Sequence, residues 1–175
     1  MRNPLSEKIV NIPPSGIRKF FDIVSEMKDA ISLGVGEPDF DTPENIRNAC
    51  KKALDEGKTR YVNVPGIAAL REAICEKLKR DNHVEYAPSQ ICVSTGAKQA
   101  LNNAVMAVVN AGDEVIIPMP GWVSYVEIVK LVGGVPVCVD TKEDFQLDLA
   151  AVEKAITPKT AAIMINTPNN PTGAV

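Results

Sequence analysis

Between residues 90 and 166 the sequence switches repeatedly between two hydrophobic rhythms. Short apolar runs (QICVS, EVIIP, VPVCV and AAIMIN) stand between longer stretches of helical spacing, AKQALNNAVMAVVNAG, WVSYVEIVKLVGG and LAAVEKAI. A run that is apolar at consecutive positions suits a strand buried on both faces, and an intervening helix supplies the crossover that parallel strands need. Four strands alternating with three helices predict an α/β fold, a mostly parallel sheet with helices on both faces in a three-layer α-β-α arrangement. Gly112 reads as the stop of the first of these helices.

Upstream the pattern is looser. Residues 1–14 carry Pro4, Pro13 and Pro14 and read as an arm outside any packed element. Ser15 caps a predicted helix to about Lys28, with Ile17, Phe20, Phe21, Ile23 and Val24 on its apolar side. ISLGVGEPDFDTP reads as a short strand running into a Gly/Pro-rich loop. Pro43 occupies the first position of the next helix and Gly57 ends it. The loop TRYVNVPG then precedes an amphipathic helix, IAALREAICEKLKRDN.

Composition removes several function classes. Nineteen basic residues stand against twenty-two acidic ones, a net charge of −3, and no Lys/Arg cluster marks a nucleic-acid or membrane surface. The longest apolar run, AVMAVV, is far short of the ~20 residues that span a bilayer. MRNPLSEKIV has no signal-peptide core, so a cytoplasmic location is expected. Cys50, Cys75, Cys92 and Cys138 form no C-x-x-C pair and His83 is the single histidine. No metal site is expected, and the cysteines read as buried free thiols.

In sheets of this kind ligands collect beyond the carboxyl ends of the strands, which directs attention to three loops. STGAKQA places a glycine at a helix start, where unpaired amides and the helix dipole suit a phosphate. Ser94 and Thr95 add hydroxyl donors and Lys98 a cation. The alternative is a plain tight turn in which Gly96 only permits positive φ. PMPGW presents Trp122, the sole tryptophan, as a stacking face for a flat heteroaromatic ring or as a packing residue. In NTPNNPTG, Asn170 precedes Pro171, whose ring stiffens the backbone before it. Its carboxamide is either a neutral donor to an oxyanion or a turn residue bonding its own backbone.

Taken in order, GEPDFDTP, YVNVPGIAALREAI, STGAKQAL, PMPGWVSY and NTPNNPTG resemble the class I/II aminotransferases of fold type I, which use pyridoxal 5′-phosphate. The resemblance runs from about residue 15 to residue 175. It implies that residues 41–175 are part of the large cofactor-binding domain, and that residues 1–40 comprise an arm and a small-domain segment. It further implies that Gly96, Ala97 and Lys98 hold the cofactor phosphate, Trp122 stacks on the pyridine ring, and Asn170 donates to the ring's phenolic oxygen. Gly36 would approach the substrate carboxylate through its backbone, near Trp122 and Asn170. Tyr61 would reach the phosphate of a neighbouring subunit in a homodimer.

The implied reaction moves an amino group from an amino acid to a 2-oxo acid, in two half-reactions through Schiff bases. The family's Schiff-base lysine lies downstream of N-P-T-G, so no catalytic residue is assigned within residues 1–175. Lys98, at the phosphate end, faces the wrong side of the ring to replace it. The expectation is an N-terminal part of an aminotransferase, inactive by itself. A carbon–sulfur lyase on the same fold and a non-catalytic sensor domain are the alternatives.

Overall fold

The computed structural model describes residues 4–13, 23–24, 26–27, 29, 31, 36 and 38–175. In chain order its elements are α1 (Glu7–Val10), α2 (Glu44–Asp55), α3 (Ala68–Asn82), α4 (Gly96–Val108), β1 (Glu114–Met119), α5 (Ser124–Val132), β2 (Val135–Asp140), α6 (Leu149–Ala155) and β3 (Thr160–Ile163). They fall into two compact units, Met1–Ile12 with Val93–Val175, and Pro13–Cys92.

The first unit is built around β1, which lies between β2 and β3 in a parallel sheet. Val115, Ile116 and Ile117 are each 1% exposed, so both pleat faces of β1 are covered, as its unbroken apolar run predicts. On one face Val115 and Ile117 pack with Val105 and Val109 from the end of α4 and with Tyr125, Ile128 and Val129 of α5. Burying an aliphatic side chain of this size stabilises the fold by about 1.5–3 kcal/mol, and this cluster is the main store of stability in the unit.

Register places the loops. Glu114 pairs with Val135 and Met119 with Asp140, so β1 and β2 end level. Ile116 pairs with Ile163, and the Met164 amide donates to the Ile116 carbonyl at 2.9 Å. The segments following β1 and β3 therefore leave from neighbouring points on one edge of the sheet.

The helix ends follow sequence rules. Gly133 (φ 93°) closes α5, and Gly57 (φ 69°) lies just past α2. His83, at φ 57°, is the left-handed cap of α3. The Asp148 carboxylate accepts from the amides of Ala150 and Ala151 at the start of α6. In the second unit the Arg71 guanidinium donates to the Pro88 carbonyl at 3.1 Å, tying α3 to the short 3₁₀ turn Pro88–Gln90. No residue of α2 or α3 is buried.

Several expectations change. QICVS forms no ladder: Ile91 is extended (φ −102°, ψ 129°), but among the described residues no strand lies beside it, and three strands stand where four are predicted. The described N-terminal residues hold one short helical turn. Ser6 caps a single turn, and Lys8 donates from Nζ to the Leu131 carbonyl at the end of α5, 3.3 Å away. Pro43 is the cap of α2 and not its first helical residue. Gly112 belongs to the turn into β1, since α4 ends at Val108. The cysteines are free, but Cys50 on α2, Cys92 in the unpaired QICVS segment and Cys138 on β2 are exposed. Most of the predicted helix from Ser15 to Lys28 and most of the strand in ISLGVGEPDFDTP lie outside the described residues. No described helix is long and apolar enough to cross a membrane.

Candidate active site

The start of α4 has unused donors. Gly96 sits at φ 77°, which an L side chain resists, and an ideal Cβ there would meet nothing within 4 Å. Backbone sign, not crowding, makes this position a glycine. Thr95 supplies no side-chain cap, while the Gln99 side-chain oxygen turns back to accept from the Thr95 amide. The Gly96 amide donates to Ser94 at 2.9 Å. Among the described residues nothing accepts from the amides of Ala97 and Lys98, so the first turn presents two open N–H groups at the positive end of the helix.

Trp122 lies between β1 and α5, half-buried against the edge of the apolar cluster. Tyr125 meets it edge to face, with centroids 5.5 Å apart and planes at 86°. The Lys98 ammonium stands 5.0 Å from the indole centroid, a cation–π contact that joins the start of α4 to the loop after β1. Residues 96–98 and 122 are thus brought to one place.

The third loop divides its work among three asparagines. Asn166 accepts from the Asn170 amide through Oδ1 at 3.0 Å. Asn169 donates from Nδ2 to the Pro120 carbonyl at 3.0 Å and to Thr172 Oγ1 at 2.9 Å. Its backbone closes the loop, donating to Ala174 and accepting from Gly173, both at 2.8 Å. Asn170 is exposed, and among the described residues its carboxamide has no hydrogen-bond partner. Asn166 and Asn169 went unpredicted. Their signal is the crowding of three asparagines into five positions, but which one serves the backbone is not local information.

Behind these loops is a hollow of about 250 Å³ lined by residues that include Tyr125, Phe145, Met164, Asn166 and Asn169. Trp122, Asn170 and residues 96–98 do not line it. Burial in the apolar cluster raises the Tyr125 phenol above its ordinary pKa.

The remaining predicted residues belong to the second unit. Gly36 is exposed, and a Cβ built there meets nothing within 4 Å. Tyr61 is fully exposed, as is Val64 at 95%, in the loop between α2 and α3, so Tyr61 does not pack beneath its loop.

A parallel sheet with open amides at a helix start, a half-buried aromatic ring and an exposed carboxamide near its carboxyl edge defines an α/β protein with a candidate ligand site. The family description "Aminotransferase class I and II" matches residues 28–175, and the chain belongs to that family. It is 48% identical to an aspartate/prephenate aminotransferase of Cereibacter sphaeroides, over 97% of this chain and 44% of that protein. Against an aromatic-amino-acid aminotransferase of Thermococcus litoralis the identity is 47%, over 98% of this chain and 45% of the relative. The aspartate aminotransferase of Thermus thermophilus with maleate superimposes with a TM-score of 0.93 at 45% identity, covering 100% of this chain and 47% of that one. The chain therefore spans less than half the length of these relatives.

Proposed function

We propose that residues 1–175 form the phosphate- and ring-holding part of a pyridoxal-phosphate-dependent aminotransferase, which moves an amino group from an amino acid to a 2-oxo acid. The carrying observation is the convergence of the open Ala97 and Lys98 amides, the side-chain-free Gly96 and the Trp122 ring beneath the Lys98 ammonium. These residues fit the cofactor: a dianion needs donors at a helix start, and a flat cationic ring needs an aromatic face.

In this reading the amides hold the phosphate and the Lys98 ammonium makes the local potential more positive for it. Trp122 fixes the plane of the ring. Asn170, held through its backbone by Asn166, offers a neutral N–H to the ring oxygen and to the substrate carboxylate. When bound, the cofactor supplies an electron sink for bond breaking at the substrate α-carbon. Gly36 admits the substrate carboxylate to its backbone, and Tyr61 serves a neighbouring subunit in a homodimer. Residues 41–175 act as part of the large domain and residues 1–40 as an arm and small-domain segment, in a cytoplasmic enzyme. The relatives' names favour an acidic or aromatic amino donor.

The test is a titration of pyridoxal phosphate followed by the emission of Trp122, with unphosphorylated pyridoxal as comparison. Pyridoxal should bind at least about tenfold more weakly, the equivalent of ~1.4 kcal/mol from the phosphate contacts. Equal affinity would remove the anion site. In the complete protein, transfer from aspartate or an aromatic amino acid to a 2-oxo acid should follow cofactor addition, and its absence would remove the assigned reaction.

A further inference from the structure

The geometry points to Asn169 as the positioning residue that sets Trp122 and Asn170 relative to each other, a role that rests on the cofactor site proposed above. Neighbouring parallel strands hold the starts of the two loops, but the β1–β3 ladder ends before either functional side chain is reached. Beyond it, the Asn169 Nδ2 bond to the Pro120 carbonyl is the only hydrogen bond, among the described residues, between residues 120–123 and 166–175. Pro120 lies two positions before Trp122, and Asn169 immediately precedes Asn170.

The chemistry of the side chain suits the task. A carboxamide nitrogen carries two hydrogens, and Asn169 directs them to two acceptors, the Pro120 carbonyl at 3.0 Å and Thr172 Oγ1 at 2.9 Å. The first bond reaches across to the Trp122 loop. The second, with the backbone bonds to Ala174 and Gly173, keeps residues 170–173 folded as a closed turn. Aspartate has nearly the same shape and no donor, so Asn169→Asp cuts the bridge without emptying the space. Thr172→Val removes the acceptor of two bonds inside the loop, from Asn169 Nδ2 and from the Ala174 amide, and leaves the bridge.

The protein is read first without cofactor, by acrylamide quenching of Trp122, the chain's only tryptophan. Asn169→Asp should raise the quenching constant by about half or more, as a lost hydrogen bond frees the loop, while Thr172→Val should stay near wild type. An unchanged constant in Asn169→Asp, or an equal rise in Thr172→Val, overturns the clamp. Pyridoxal phosphate affinity is read next. Asn170→Ala should weaken it about tenfold and Asn169→Asp about threefold, the loss of all or part of one hydrogen bond to a charged oxygen. The double variant should lose less than the product of the two single losses, because Asn169 acts in part through Asn170; losses that multiply fully overturn that route. If the wild type takes up no pyridoxal phosphate, the cofactor reading fails, and the quenching comparison still decides the clamp. Should Asn169→Asp lose its circular-dichroism spectrum, Asn169→Ser, too short to reach Pro120, is read in its place.

Discussion

At Gly96 a methyl group would enter open space, yet φ is 77°, where L residues are strained. Gly96→Ala should therefore lower stability by about 1 kcal/mol and weaken pyridoxal phosphate binding more than stability, because the strain is relieved by turning the amides proposed to hold the phosphate. Thermal melts and the Trp122 titration, run together, check this; an unchanged affinity would show that the amides are not the anion donors. Lys98 belongs to the same corner but has a different task. Its ammonium stands 5.0 Å from the indole centroid, and in the proposed site it would face the phosphate end of the cofactor and would not be attached covalently. Borohydride reduction of the loaded protein should leave Lys98 unlabelled, and a stoichiometric pyridoxyl adduct at that residue by peptide mass spectrometry would reverse the assignment.

Among the elements, the seam between α5 and β2 is the least tolerant. A Cβ on Gly134 would lie 2.8 Å from Val109 Cγ1 and 3.0 Å from Val129 Cγ1, closer than carbon atoms pack. Gly134→Ala should cost about 1–3 kcal/mol, and Val109→Ala in the same protein should recover part of it by removing the nearer methyl. Denaturant midpoints of the two single variants and the double decide whether the clash or the backbone is responsible. Tyr125 adds a pH signature to α5. Its phenol is held above its ordinary pKa by burial, so the folded state keeps the proton longer than the unfolded chain. That contribution is present below the unfolded value, near pH 10, and is lost as pH rises through the folded one. Tyr125→Phe should flatten the alkaline decline in stability between about pH 9 and 11; an identical decline in both proteins would place its cause elsewhere.

For the molecule as a whole, burial is unevenly shared. Every buried hydrophobic side chain among the described residues lies in the first unit, from Val105 to Val139. In the second unit, α2 and α3 have none. Hydrogen exchange should accordingly be slowest at residues 115–117 and 128–129 and fast throughout α2 and α3. Equal protection of α2 in the purified chain would mean that its apolar side is covered in solution.

The elements that could be read from sequence are those whose cause is local. Consecutive apolar residues produced β1, helical spacing with Gly133 or Asp148 at an end produced α5 and α6, and Gly96 marked the start of α4. The misreadings have non-local causes. QICVS has strand composition, but a strand exists only beside another, and that neighbour is not written in its own residues. Lys8 caps a carbonyl 123 positions away, and Asn169 bonds a carbonyl 49 positions away. By itself, then, the sequence determined the parallel α/β class and the family, and it supplied the residue types of the proposed site, because periodicity, caps and short motifs act over a few residues. Only the tertiary structure decided that Asn169 joins two loops while Asn170 stays free, and that the N-terminal turn docks on α5, because hydrogen bonds between distant segments exist only once the sheet has set their register.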